Sequence, residues 1–187
     1  MTVNRIHLRF KKLSDAREDY QWQTDPELCR LDAADTLVMA YKDYLAEYTF
    51  EMCYPTSDRH EFAVETQDGL HIGNCVYYNV NRAESRAELG IMIGNRDYWN
   101  RGYGEETVNL LLDYIFDKVA LESVYLTTLD WNIRAHACFK KCGFSECGGI
   151  NRDGFHFIMM VIRRSEWEKL GRSSKVDLSI LAKPPVN

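Results

Sequence analysis

One segment constrains the fold more than any other: a strand-like run, a turn with two glycines and an amphipathic helix follow one another directly. The run is AELGIMIG, and the turn is YWNRGYGEET, with its glycines at positions 102 and 104. In the helix, apolar side chains recur with the spacing of one helix face, at Val108, Leu111, Leu112, Ile115, Phe116 and Val119. Such a helix must pack on another layer, and the preceding strand indicates that this layer is a β-sheet.

The patterns on either side of this unit predict a mixed sheet. From His60 onward, apolar residues alternate in HEFAVET, LHIGNCVYYNV and AELGIMIG, which predicts a three-stranded antiparallel meander. A first strand is predicted at 4–10, aromatic-rich helical pieces at 14–50 and a helix at 133–141, while SVYLTTLDW, FSECGGI and FHFIMMVIR read as further strands. The predicted fold class is α/β (α+β): a mixed, mostly antiparallel twisted sheet of about seven strands, flanked by helices.

Length and composition favour a single domain. The chain has 187 residues, of which 45% are hydrophobic, and this is enough for one core but not for two. The domain is predicted at 4–170. The last segment, 171–187, is expected to be a tail that is either mobile or packed on a neighbour, and a homodimer is one arrangement that would provide such a neighbour.

The charge balance disfavours some partners and favours others. The formal net charge is -5 and the isoelectric point is near 5.6, whereas nucleic-acid binders present basic faces. We therefore expect no nucleic-acid partner, and a cationic substrate is easier to accommodate. The N-terminal sequence lacks the apolar core of a signal peptide, and no segment has the roughly 18 apolar residues of a membrane span, so a cytoplasmic location without a membrane partner is expected.

The six cysteines do not point to a metal. Cys138 and Cys142 lie close to His136 in the sequence, yet no C-x-x-C or H-E-x-x-H motif completes a set of ligands. We expect reduced thiols and no bound metal, with Cys138 and Cys142 as buried small side chains on a helix and Cys138 facing the core.

The two glycines of the turn predict an anion site. Gly102 and Gly104 leave no side chain between the backbone and a ligand, and the turn leads into a helix N-terminus, whose free N–H groups attract negative charge. The spacing matches neither a P-loop nor a dinucleotide fingerprint, because no Lys-Ser or Lys-Thr pair follows and Thr107 stands at the third glycine position. By itself the turn is consistent either with a pyrophosphate or with no ligand.

Two ordered motifs resemble those of the GNAT superfamily of N-acetyltransferases. The first is W99-N-R-G-Y-G104, and the second is N132-I-R-A-H-A-C-F-K-K-C-G-F144. The motifs are most similar to those of the branch that contains ribosomal-protein N-terminal acetyltransferases and spermidine acetyltransferases, although Trp99 replaces the usual Gln or Arg. The resemblance implies a sheet whose fourth and fifth strands, expected at 87–94 and 123–131, splay apart around the pantetheine arm of acetyl-CoA.

The resemblance also implies roles for individual residues in holding acetyl-CoA. Main-chain amides of the loop would hold the pyrophosphate, and two isoleucines would line the pantetheine path. Asn132 would either bind the cofactor arm or cap a helix. Phe139 would form a wall in the place where many relatives carry a tyrosine acid. The implied cofactor-binding residues are Ile91, Ile93, Arg101, Gly102, Tyr103, Gly104, Asn132 and Phe139.

Amine acetylation needs a proton acceptor, because free amines are mostly protonated at neutral pH. Glu88 alternates out of phase with Leu89 and Ile91, so it faces the other side of its strand and is the predicted general base. An ordinary solvated carboxylate is the alternative interpretation of Glu88. We expect direct attack in a ternary complex, because a covalent carrier at Cys138 is not required.

Two acceptors and two functions stay open at this point. The acceptor is a primary amine, either a protein N-terminal α-amine or a small polyamine-like amine. Carboxylates and aromatic rings that are candidates to contact it are Trp22, Asp32, Asp35, Tyr41, Tyr44, Glu47, Tyr48 and Glu51. The alternative function is a non-catalytic acyl-CoA-binding regulatory module, which Phe139 and Glu105 make conceivable.

Overall fold

Seven strands form one sheet in the computed structural model, which describes residues 4–171. The strand order is β1-β2-β3-β4-β5-β7-β6, and the neighbouring strands are antiparallel except for β4 and β5. The predicted mixed sheet is confirmed. The strands are β1 (Ile6–Phe10), β2 (His60–Thr66), β3 (His71–Asn81), β4 (Arg86–Ile93), β5 (Ser123–Leu129), β6 (Ser145–Arg152) and β7 (Phe155–Arg163).

Six α-helices flank the sheet within the described residues, and side-chain caps mark the starts of two of them, α2 and α5. Asp25 accepts hydrogen bonds from the N–H groups of the first turn after Pro26, and Asn132 accepts one from Ala135. The predicted tail at 171–187 lies outside the described residues, apart from Gly171. The helices are α1 (Ala16–Gln23), α2 (Pro26–Leu31), α3 (Tyr41–Cys53), α4 (Tyr103–Tyr114), α5 (Ile133–Lys141) and α6 (Arg164–Lys169).

The predicted apolar stripe of α4 forms the centre of the core. Its residues from Val108 to Phe116 along the stripe are at most 1% exposed, and they pack on the strands together with Phe62, Leu89 and Leu126. After Tyr114 the helix widens into a π-helical turn, Ile115–Val119, which ends at Ala120 in the left-handed conformation. Packing of α4 on β1, β3 and β4 fixes the start of this helix relative to the sheet.

Strands β4 and β5 pair only at their beginnings. Their parallel register covers Arg86–Glu88 on β4 and Ser123–Tyr125 on β5, whereas β4 remains paired with β3 up to Ile93. Beyond Glu88 and Tyr125 the two strands diverge. The splay expected from the resemblance is therefore present at the expected strands.

A buried ionic network joins α1 to the first strands. Arg9 on β1 makes two hydrogen bonds to Asp15, of 2.7 and 2.8 Å, and a third of 2.5 Å to Glu65 on β2. Next to this cluster, Lys11 contacts Asp19 of α1, which also accepts a bond from Asn74. Alternation alone did not indicate these pairs, because each joins a residue on or next to a strand to a residue of another element, and the bonds of Glu65 and Asn74 also bridge distant parts of the sequence.

Two properties of the described part of the chain bear on the composition argument. None of the helices between residues 4 and 171 combines the length and apolar character needed to cross a bilayer. All six cysteines are free thiols.

Removing the Asp15 charge should destabilise the fold strongly. Burial raises the pKa of Asp15, but hydrogen bonds from Arg9 and from the Lys12 amide outweigh this and hold it below its usual value. The native state therefore binds this proton less readily than the unfolded chain does. The ionised Asp15 carboxylate contributes its full stabilisation above about pH 5, and this stabilisation is lost as the pH falls below roughly 4.

We expect Asp15→Asn to lower the free energy of unfolding by roughly 3 kcal/mol at pH 7, because the buried Arg9 guanidinium then keeps only Glu65 as a negatively charged partner. The loss should shrink on acidification. Urea denaturation at several pH values measures it, with Glu84→Gln, in a half-exposed pair with Arg86, as a control that changes little. Equal effects of the two substitutions would contradict the importance assigned to the network.

Candidate active site

A cleft of about 470 Å³ opens where β4 and β5 separate. The end of β4, the loop before α4, and α5 form its walls. Arg101 and Tyr103 lie in the same loop but outside the lining. Six residues predicted from the resemblance line this cleft, namely Ile91, Ile93, Gly102, Gly104, Asn132 and Phe139.

The start of α4 presents backbone donors to the cleft. Gly102 has a φ of +84°, in the left-handed region that favours glycine, and its carbonyl accepts the first helical bond from Glu106 at 3.0 Å. The N–H groups of Tyr103, Gly104 and Glu105 precede that bond, so they lie at the end of the helix where anions are favoured.

Arg5 contacts the loop before α4 and the start of this helix. Its guanidinium donates to the Arg101 carbonyl at 2.9 Å, pairs with Glu106 at 2.9 Å and lies 4.2 Å from the centre of the Tyr103 ring. Glu106 also accepts a 2.6 Å bond from the Arg5 main chain, so the chain before β1 is tied to α4. The sequence analysis missed this brace, because the two residues are far apart in the chain.

The end of β4 forms one wall of the cleft with help from Trp99. The Trp99 indole donates a 2.6 Å hydrogen bond to the carbonyl of Ile93, and Arg134 of α5 lies 3.7 Å from the centre of the Trp99 ring. Trp99 and Arg134 thus link the β4 side of the cleft to the α5 side. This contact explains how tryptophan is accommodated where the resembling motif has Gln or Arg.

Helix α5 forms the opposite wall. Asn132 caps this helix through a 3.3 Å bond from Ala135, and it also lines the cleft. Phe139 is 8% exposed and packs edge-on against Phe144. Cys138 was expected to face the core, and this is wrong: it is half-buried on the cleft surface. A hydrogen bond with Cys142 lowers the pKa of the Cys138 thiol, while burial opposes the shift.

Glu88 lies at the point where β4 and β5 cease to pair. Its side chain is 8% exposed, and it accepts hydrogen bonds from Asn79 at 3.0 Å and from Thr127 at 3.3 Å. Tyr78 and Tyr125 lie directly opposite Glu88 on the two neighbouring strands. Burial, followed by the charge of Glu88, raises the pKa of both phenols. Glu88 is therefore buried rather than solvated, at the closed end of the splay.

A second cavity, of about 350 Å³, lies between α1, the segment after α2, and strands β2 to β4. Within the part of the chain that the structure describes, its lining has one cationic side chain, Arg59, and four carboxylates, Asp19, Asp32, Asp35 and Glu61. Tyr78 and Trp22 supply aromatic surface. Asp32, Ile91 and Met92 line both this cavity and the first cleft, so the two spaces meet at them.

The structure selects among the acceptor contacts that the sequence suggested. Three of the eight, Trp22, Asp32 and Asp35, line the second cavity. The other five belong to α3 and do not line it: Tyr41, Tyr44, Glu47, Tyr48 and Glu51. The sequence analysis missed Asp19, Arg59 and Glu61. Alternation along β2 offered a signal for Glu61 alone, because Glu61 falls on the polar side of HEFAVET.

Among residues 4–171, no group of three or more His, Cys, Asp or Glu side chains is arranged to hold a metal ion.

Comparison with known proteins gives one family. Residues 5–145 match the family described as "Acetyltransferase (GNAT) domain". The uncharacterized N-acetyltransferase p20 of Bacillus licheniformis is 28% identical over 124 residues, which are 65% of this chain and 68% of p20. The uncharacterized N-acetyltransferase YnaD of Bacillus subtilis is 30% identical over 96 residues, about half of each protein.

Solved structures show the same fold. The spermidine N-acetyltransferase from Vibrio cholerae, in complex with CoA and spermine, aligns with a TM-score of 0.78 and 22% identity over 89% of this chain and 99% of its own. The aminoglycoside acetyltransferase AAC(6')-Ib, in complex with coenzyme A, aligns with a TM-score of 0.72 and 18% identity over 88% and 98%. At these identities the likeness concerns the fold alone.

Alanine substitutions of the two loop glycines should separate backbone strain from cleft filling. Gly102→Ala forces alanine into the left-handed region, so we expect a loss of about 1–2 kcal/mol. At Gly104 an added Cβ would lie 3.5 Å from the Cys138 sulfur and 3.7 Å from Ile91, which are ordinary contacts, so stability should hardly change. Urea midpoints measure both variants, and a larger loss at Gly104 would contradict this geometry.

Proposed function

The chain belongs to the GNAT acetyltransferase family and is an N-acetyltransferase, and we propose that it transfers the acetyl group of acetyl-CoA to a small, cationic primary amine. One observation carries the proposal: two cavities of different chemistry meet at the free edge of β4, at Asp32, Ile91 and Met92. Two substrates held in these cavities would bring their reacting ends together there, as a ternary complex requires.

The first cleft suits acetyl-CoA. Its α4 end offers main-chain donors for a pyrophosphate, and Arg134 and Lys141 offset the negative charges of Asp32 and Glu105 in the lining. The apolar edge at Ile91 and Ile93 runs from this end toward Glu88, which suits the pantetheine arm. In this arrangement the loop of Arg101 to Gly104, together with Asn132 and Phe139, holds the donor.

The second cavity suits an amine with more than one positive charge. Four carboxylates face one arginine, so a cation is stabilised there and an anion is not. Trp22 and Tyr78 can contact the methylene groups or the charged nitrogens of such a chain. A protein N-terminal α-amine is the alternative acceptor, and it would use fewer of these carboxylates.

A cytoplasmic location and a homodimer stay predictions.

The leaving group needs little help in this reaction. A thiol has a reference pKa of about 8.5, so its anion departs without an acid in the place of Phe139. The proton of the attacking nitrogen does need an acceptor, and Glu88 is our candidate: it lines neither cavity, but it lies at the closed end of the splay on the same strand as Ile91 and Met92, where the two cavities meet.

A panel of amines tests the proposal. We expect wild-type protein with acetyl-CoA to release free thiol with spermidine and much less with peptides that carry only a neutral side chain and an α-amine. The variant Gly104→Val, which narrows the first cleft, is the control and should release little thiol with any amine. Thiol release with the peptides but not with spermidine would favour the alternative acceptor. Tight CoA binding without thiol release from any amine would favour a non-catalytic acyl-CoA-binding module.

Substitution of Glu88 tests its role as a base. Glu88→Gln keeps the side-chain volume, so we expect kcat to fall by roughly 10² to 10⁴ while acetyl-CoA affinity hardly changes. Phe139→Tyr should have a much smaller effect on kcat. Wild-type turnover by Glu88→Gln, with chemistry shown to be rate-limiting, would remove Glu88 from the mechanism.

A further inference from the structure

Acetylation of a cationic amine removes two protons from one nitrogen. The first must leave the ammonium group before nitrogen has a lone pair for attack, since amines with a pKa near 10 are almost fully protonated at pH 7. The second must leave after the N–C bond forms and before the C–S bond breaks to give a neutral amide. Glu88, at the closed end of the splay, suits the second proton, so the first calls for a group where the amine enters.

Asp32 occupies that entrance. Among the titratable residues of the described part of the chain, it alone lines both the first cleft, named here the donor cleft, and the second cavity, named the acceptor cavity. Its main-chain N–H bonds to the carbonyls of Leu28 and Cys29, both at 3.1 Å, which fixes its backbone at the end of α2. Within residues 4–171, its carboxylate makes no hydrogen bond or ion pair, so it is available to a ligand.

The other carboxylates of the acceptor cavity are placed differently. Asp19 already binds Lys11 and Asn74, and Glu61 lies 3.8 Å from Arg59. Asp35 lines the acceptor cavity but not the donor cleft. These positions suit the holding of a cation away from the reaction, whereas Asp32 is next to it.

The surroundings of Asp32 make its carboxylate a fitting acceptor. The side chain is open to the water of the cleft, yet protein surrounds its other sides, and this burial raises its pKa to about 6, against the opposing charge of Arg59. At pH 7 the carboxylate is therefore mostly ionised and more basic than an ordinary aspartate. The other charged or titratable groups that line the two spaces are Asp19, Cys29, Asp35, Arg59, Glu61, Cys75, Tyr78, Tyr98, Glu105, Arg134, Cys138 and Lys141.

We propose that Asp32 is a catalytic residue, which accepts the first proton of the substrate ammonium as the amine passes from the acceptor cavity to the thioester. The apolar surfaces of Ile91 and Met92 at this junction disfavour the charged amine and help the transfer. Asp32 then passes this proton to the water of the cleft. The second proton goes to Glu88 and neutralises the departing thiolate, so one proton is released for each amide and thiol formed.

This assignment rests on the proposed function and predicts a distinctive pH dependence. Below its pKa, Asp32 is protonated and cannot accept, so kcat of the wild type should fall on the acid side of about pH 6. In Asp32→Asn, only amine that is already neutral in solution reacts. Its rate should therefore rise with pH until the amine itself is deprotonated.

The experiment measures kcat and KM for spermidine between about pH 5.5 and 9.5, at saturating acetyl-CoA, by thiol release. We expect Asp32→Asn to lower kcat about 10- to 100-fold at pH 7 and only a few-fold at pH 9.5. Glu88→Gln should lose the same factor at every pH. Asp35→Asn, the matched control from the same cavity, should raise KM and keep the wild-type pH profile of kcat.

Each other outcome overturns part of the scheme. A kcat of Asp32→Asn that equals the wild type, with only KM raised, would show that Asp32 merely binds the cation. A loss of kcat that is independent of pH would assign Asp32 a structural role. If the wild-type protein itself releases no thiol with spermidine, the proposed function fails, and the role of Asp32 fails with it.

Discussion

The parallel pairing of β4 with β5 stops after Glu88 and Tyr125, and the donor cleft opens at this break. Beyond it, the edge of β4 that would face β5 is open up to Ile93, whose carbonyl is satisfied by the Trp99 indole. A strand that is paired on one side only can offer main-chain groups to a ligand on the other. The break stays open because β7, not β4, pairs with β5 from Ser123 to Leu129, and because α4 packs on β4 and contacts α5.

The charges that line the two spaces differ. In the donor cleft, Arg134 and Lys141 balance Asp32 and Glu105 beside the start of α4, whereas carboxylates dominate the acceptor cavity. The buried network of Arg9 and Asp15 ties α1, which forms one wall of the acceptor cavity, to the first strands. That cavity is therefore bounded by charged groups that are already paired, such as Asp19, and by groups that are free to meet a substrate, such as Asp32. In the proposed reaction, paired carboxylates such as Asp19 would hold a cationic amine, and Asp32 would remove a proton from it.

The elements that the sequence predicted well are those with a strong local pattern. The stripe on α4 and the meander of β2 to β4 repeat their signal over several turns or strand positions, so their local patterns predicted them. The helix from Ile133 to Lys141 was predicted from Asn132 at its start and Gly143 after its end. Cys138 was misplaced because a helix of nine residues presents its half-buried side both to the core and to a cleft, and periodicity does not separate these. The brace between Arg5 and Glu106 and the ion pair of Arg9 with Asp15 join residues that have no common local pattern.

The sequence by itself determined the order of strands and helices, the loop of Gly102 and Gly104 at a helix start, and the likeness to one family, because each of these is written in consecutive residues. Only the tertiary structure decided where Glu88 lies relative to the splay, and which carboxylates face the acceptor cavity. It also decided that Asp32, from a short helix outside both motifs, stands where the two cavities meet. The physical reason is that a site between two substrates is a property of packing, since its residues come from α2, β4 and α5, which approach one another only when the core beneath them is formed.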